Sequence, residues 1–229
     1  MKITKLLKSL LLTVIVTVIV ASTINLKTAQ AQEISPGVDF VSTYVWRGVA
    51  YSGPSIQPYV EFSAEGFALG AWGSQGIDGI ISDEVNSVGF QEMDLYASYT
   101  FDFGLSLGVT DYYYPGGSFF EESGHAFEFN AGLSLGDLSL SGNYIFAGDG
   151  SYGDDMYFEL GYSAGPADLF IGGGDGWHSS DPDEFAIVNI GIGTSKEIQI
   201  TDSFSLPLSG AVILNPDTEQ FYIVAGISL

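Results

Sequence analysis

From residue 32 onward the chain alternates apolar and polar residues in twelve segments, each bounded by residues that favour turns. Over 125–136, Phe127, Phe129, Ala131, Leu133 and Leu135 share one face of an extended strand, and Glu128, Asn130, Gly132 and Ser134 share the other. Over 91–101, Met93, Leu95, Ala97 and Tyr99 oppose Glu92, Asp94, Tyr96 and Ser98; over 155–164, Met156, Phe158, Leu160 and Tyr162 oppose Tyr157, Glu159, Gly161 and Ser163. The spacing predicts strands over 38–50, 55–65, 67–75, 91–101, 103–114, 125–136, 138–147, 155–164, 167–175, 185–195, 203–214 and 220–229.

The connections alternate in length. Glu65-Gly66, Asp102, Asp137 and Gly165-Pro166 mark tight turns, whereas 51–54, 76–90, 115–124, 147–154, 176–184 and 215–219 are longer. Only the turn over 196–202 breaks the pattern by being somewhat extended. Short turns at one end and long loops at the other, with an even strand count, are what a transmembrane antiparallel up-and-down β-barrel requires. Composition fits: 46% hydrophobic residues beside only 15% charged is high for a chain without a long apolar run after residue 31, and strands with one face in lipid reconcile the two.

A soluble barrel turned the other way would show the same alternation, and two features favour lipid. Aromatic residues fall at both ends of the apolar face: Trp46, Tyr113, Phe127, Phe146, Phe185 and Phe221 towards the long loops, and Phe40, Phe62, Phe67, Tyr99, Tyr162 and Phe204 towards the short turns. The polar face carries almost no lysine, unlike the mixed charges of a soluble surface.

Residues 1–31 read as a signal peptide, with Lys2, Lys5 and Lys8, the apolar run Leu10 to Ala21, and the small-residue site Ala29-Gln30-Ala31. The alternative, a membrane anchor, needs about 20 apolar residues. The expected mature chain, 32–229, is then a single outer-membrane barrel, with outer-membrane lipid and the barrel-assembly machinery as its partners.

All 28 acidic residues follow residue 31, where Arg47 and Lys196 are the only basic ones. Nucleic acid is excluded as a partner, since phosphate binding needs clustered Lys and Arg. The absence of cysteine excludes thiolate metal sites and thiol nucleophiles.

With the apolar faces in lipid, Asp39, Glu61, Glu92, Asp94, Glu128 and Glu159 point into the lumen, and Arg47 is the one inward cation. Such a lining concentrates cations and repels anions. Arg47 either sets the narrowest point or helps to close the first strand against the last. The lumen is either a narrow pore for cations or small neutral solutes or a solid hydrogen-bonded plug, because twelve strands fall between barrels that side chains fill and barrels that keep a channel.

The segment Asp149-Gly150-Ser151-Tyr152-Gly153-Asp154-Asp155 offers oxygens for calcium but lacks the EF-hand order; the plainer reading is a solvated anionic face. A lipid hydrolase would draw on His178 with Ser179 or Ser180, or His125 with Ser123, and needs the base within reach of the hydroxyl. No catalytic residue, metal or cofactor is expected.

Ser42-Thr43-Tyr44-Val45-Trp46-Arg47-Gly48-Val49, then Pro54 to Pro58, Gly66 to Ser74, Glu92 to Tyr99 and Tyr112-Tyr113-Tyr114-Pro115 resemble the TorF-like porin family, mainly over 38–146. The resemblance implies a bacterial outer-membrane barrel acting as a channel. The chain departs from many such barrels in closing on Leu229 rather than an aromatic residue, which bears on recognition by the assembly machinery and not on the fold.

Overall fold

In the computed structural model, residues 32–77, 89–116, 118–121 and 123–229 are described. Residues 1–31, expected to be the signal peptide, lie outside them, as do Asp78, Asp83, Glu84 and Glu122.

The strands are β1 (Glu33–Val41), β2 (Tyr44–Trp46), β3 (Val49–Ser52), β4 (Ser55–Ala64), β5 (Phe67–Gly76), β6 (Gln91–Thr100), β7 (Leu105–Tyr113), β8 (His125–Leu135), β9 (Leu138–Ala147), β10 (Met156–Ala164), β11 (Ala167–Gly174), β12 (Ala186–Thr201), β13 (Phe204–Asn215) and β14 (Gln220–Ser228). β1 and β4 to β14 form one closed antiparallel barrel of twelve strands. It closes where Asp39 of β1 pairs with Ser228 of β14, and the mutual backbone bonds of Val38 and Leu229 complete the seam. Every wall strand thereby has two neighbours, which leaves no open edge around the barrel's middle.

The faces are inverted relative to a soluble protein. Phe158 is 51% exposed and Ile223 68% on the outside, whereas Glu128 is 1% exposed within. An apolar girdle around a polar interior is stable only when lipid covers it, so the barrel crosses a membrane. Near the short-turn end, Tyr99, Phe101 and Phe103 stack in series with centroids 4.9 and 5.5 Å apart, as interfacial aromatics do.

Two expectations need correction. The first wall strand is β1, ending at Val41, and not 38–50. Residues 42–54 leave the wall and form a separate two-stranded hairpin, β2 and β3. Ser42 keeps two last bonds with Ala225, donating its amide to the Ala225 carbonyl and accepting the Ala225 amide on its hydroxyl, and Ser55 resumes the wall opposite Val41. Trp46 is therefore not a belt residue but packs inside the barrel; Tyr113, which stays in the wall on β7, is instead covered by Phe119 and His125.

The second correction concerns 196–202. β12 continues to Thr201 and pairs with β13 from Ile190 to that end, with a register shift between Gln199 and Thr201, while its pairing with β11 stops at Gly193. What reads as an extended turn is a β-ribbon projecting beyond the barrel rim, with the turn itself reduced to Asp202-Ser203.

Candidate functional site in the barrel lumen

The β2–β3 hairpin folds into the mouth of the barrel on the long-loop side. Its turn is Arg47-Gly48, between the paired residues Trp46 and Val49, with φ of 50° and 82°. Two consecutive positive φ values match the twist of flanking antiparallel strands. Gly48 is required by space as well as by backbone: a Cβ there would stand 1.9 Å from the Val188 carbonyl oxygen of β12. Asn215 of β13 donates to the Gly48 carbonyl at 3.0 Å. The hairpin thus leaves the wall beside β1 and touches it again at β12 and β13.

Arg47 reaches β8. Its guanidinium donates both arms to Glu128, Nη1 to Oε1 at 2.6 Å and Nη2 to Oε2 at 2.9 Å, and its Cζ lies 4.2 Å from the Trp46 ring centre and 4.7 Å from that of Tyr157. A planar fork matched to a carboxylate and stacked on rings is a geometry that lysine cannot reproduce. Glu128 also accepts from Tyr112 at 2.8 Å and Asn130 at 2.5 Å. Around this pair the hairpin rings mesh with the wall: Tyr44 packs on Trp72 at 5.5 Å, and Trp46 packs on Tyr112 at 5.4 Å.

The other carboxylates expected to face the lumen differ in partners. Tyr44 donates to Glu92 at 2.7 Å, which fastens the root of the hairpin to β6. Tyr96 donates to Glu61 at 2.9 Å. Glu159 accepts from Tyr157 at 2.5 Å and Asn189 at 2.8 Å. Asp39 and Asp94 each keep a buried Oδ1 without a hydrogen-bond partner. Arg47 is joined to Glu128 alone among these acids; the others stand along β1, β4, β6 and β10.

A second loop enters the mouth from the β11–β12 side. Its single 3-10 turn, Gly176–His178, sets Trp177 against Tyr112 at 5.9 Å and His178 against Trp46 at 5.1 Å and Tyr157 at 5.0 Å. Gly174 makes room for the imidazole, since a Cβ there would meet it at 2.8 Å. Both ring nitrogens of His178 are buried without a partner, and this burial, with the Arg47 charge nearby, pushes its pKa down to about 3.

Several acidic residues of the outer loops act as acceptors that tie the loops. Asp155 accepts from the Trp177 amide at 3.0 Å, Asp175 from the Met156 amide at 2.6 Å, Asp217 from the Ser180 amide at 2.6 Å, and Asp154 from the Tyr144 hydroxyl at 2.5 Å. Among the described residues no three His, Asp or Glu side chains converge on a point that could hold a metal ion.

The histidines are not arranged as bases for a serine. His125 faces Asp111 with Nδ1 and the Phe119 carbonyl with Nε2, both at 2.8 Å. Ser179 donates to the Asp181 carbonyl at 2.6 Å rather than to His178.

Fold and contacts together define a transmembrane β-barrel whose mouth holds its own first and penultimate long loops. The chain belongs to a family described as bacterial protein of unknown function (Gcw_chp), which matches residues 26–199. No curated protein matches it in sequence. Among solved structures it is similar to the KdgM porin, at 11% identity and a TM-score of 0.47, over 84% of this chain and 97% of that one. It is also similar to a mutant of the Rh. blastica porin, at 14% identity and a TM-score of 0.42, over 87% and 74% of the two chains.

Proposed function

We propose that the protein is an outer-membrane porin, a narrow passive channel that favours cations and small neutral solutes, with its first outer loop folded inward as the constriction. The observation that carries this reading is the charge of the lumen. On this reading Asp39, Glu61, Glu92, Asp94, Glu128 and Glu159 line it, and Arg47, the one inward basic residue among the described residues, is already bound by Glu128. The surplus negative charge attracts cations and opposes anions. The resemblance to TorF-like porins points the same way. Residues 1–31 serve this reading as the export signal.

The reach of the hairpin to β8, β12 and β13 favours a second reading, a barrel plugged at its mouth that serves as a structural or surface-interaction element. Current across a planar bilayer under a salt gradient separates the two. The channel reading expects small cation-selective steps from the mature protein, and larger steps of the same selectivity when residues 43–53 are replaced by a short Gly-Ser linker. Silence from both folded proteins would sink it. Silence from the first with steps from the second would make the hairpin a plug.

A further inference from the structure

Arg47 shows how this lumen holds a cation: one carboxylate, Glu128, and two aromatic rings, Trp46 and Tyr157. The same three chemical parts recur in the wall around Asp94. Its β6 position is directly paired with Trp72 of β5 on one side and with Tyr112 of β7 on the other. Side chains paired across antiparallel strands share a face, so a carboxylate stands between two aromatic residues. Trp72 is held on the inner face by the Tyr44 ring, and Tyr112 by its bond to Glu128.

Unlike Glu128, Asp94 has no cationic partner among the described residues. It is 8% exposed, and its Oδ1 is fully buried without a hydrogen-bond partner. Glu92, two residues along the same face, is satisfied by Tyr44 and adds like charge. A buried carboxylate without a partner is costly, and an arriving positive group offsets that cost.

We propose that Asp94, with Trp72 and Tyr112, is a binding site for an organic ammonium group carried by a solute in the lumen. Aromatic rings beside a carboxylate favour an alkylated, weakly hydrated cation over a strongly hydrated alkali ion. The proposal rests on the reading of the lumen as a passage for cations and names the class of cation it selects.

The test is ligand-observed saturation-transfer NMR on the mature barrel folded in detergent, with tetramethylammonium chloride as probe and sodium chloride as competitor at matched ionic strength. Saturable transfer to the methyl protons is expected. Asp94→Asn should weaken it roughly tenfold, and the exposed-loop change Asp183→Asn should leave it unchanged. Should Asp94→Asn fail to fold, Trp72→Leu decides, with an expected loss of similar size. Absence of saturable transfer, equal binding by Asp94→Asn, or full displacement by sodium at equal concentration each overturns the proposal. Binding in detergent and current in a bilayer are separate readouts: saturable transfer with a silent bilayer keeps the site and removes the channel, and the reverse keeps the channel and removes the site.

Discussion

Arg47 sends its guanidinium from the hairpin turn to Glu128 on β8, in a left-handed backbone conformation that a non-glycine residue adopts only when its surroundings enforce it. The enforcement is the fork on Glu128, so the two residues should be coupled. Glu128→Ala leaves a buried guanidinium unmatched and should cost about 3–5 kcal/mol, whereas adding Arg47→Ala should recover part of that loss. Urea midpoints of the folded barrel in detergent close this cycle, and equal destabilisation by the single and double variants would contradict it. Gly48→Ala should cost on the order of 1–3 kcal/mol through its positive φ, and should also lift the turn away from Val188, which a rise in bilayer conductance would report. The sequence singled out Arg47 as the one inward cation, and an argument from charge needs no structure for that. It missed the Arg47-Gly48 turn because Tyr44, Trp46 and Val49 are good strand formers and arginine is an uncommon residue at positive φ.

The strands were legible because their alternation is set by two solvents, lipid outside and a polar lumen inside, and both demand satisfied backbone groups. The expected segment 125–136 agrees closely with β8 because Phe127 to Leu135 are sorted by those solvents at every step. β1 and β12 were misjudged at the ends where one solvent changes: Tyr44 and Trp46 exchange lipid for the packed mouth, and Ile198 and Ile200 lie on a ribbon that has lost β11 as its neighbour. The Trp177–His178 turn was not legible at all, since its placement depends on Asp155 accepting the Trp177 amide and on Gly174 leaving space. This element should be sensitive to acid. His178 faces Arg47, Tyr157 and Trp46, and its pKa in place is about 3 against an ordinary 6.5. The undocked turn therefore binds more protons, and docking weakens as pH falls from 6.5 towards 3, by about 1.4 kcal/mol for each unit. Tryptophan emission should shift to the red over that range as Trp177 leaves Tyr112, and His178→Phe should flatten the response; an identical shift in that variant would remove His178 as the cause.

For the whole molecule the governing quantity is the uneven distribution of charge, with 28 acidic residues set against Arg47 and Lys196 beyond residue 31. In the channel reading Arg47 is consumed by Glu128, so the field at the lumen axis comes from the other carboxylates, and mobile ions screen it. The Debye length is about 10 Å at 0.1 M salt and about 3 Å at 1 M. Fixed charges on the wall therefore act across the lumen in dilute salt and lose that reach in concentrated salt. In the channel reading, reversal potentials measured under a constant tenfold gradient should be strongly cation-selective when the mean concentration is low and should decline towards zero as it approaches 1 M. Neutralising Glu61 and Glu159 together, by change to Gln, should lower the selectivity in dilute salt while leaving the hairpin contacts of Arg47, Gly48 and Tyr44 in place. A selectivity that persists undiminished in 1 M salt would mean that ions are sorted by direct contact at one narrow point rather than by the field of the wall, and the Asp94 position would then be where to look for that contact.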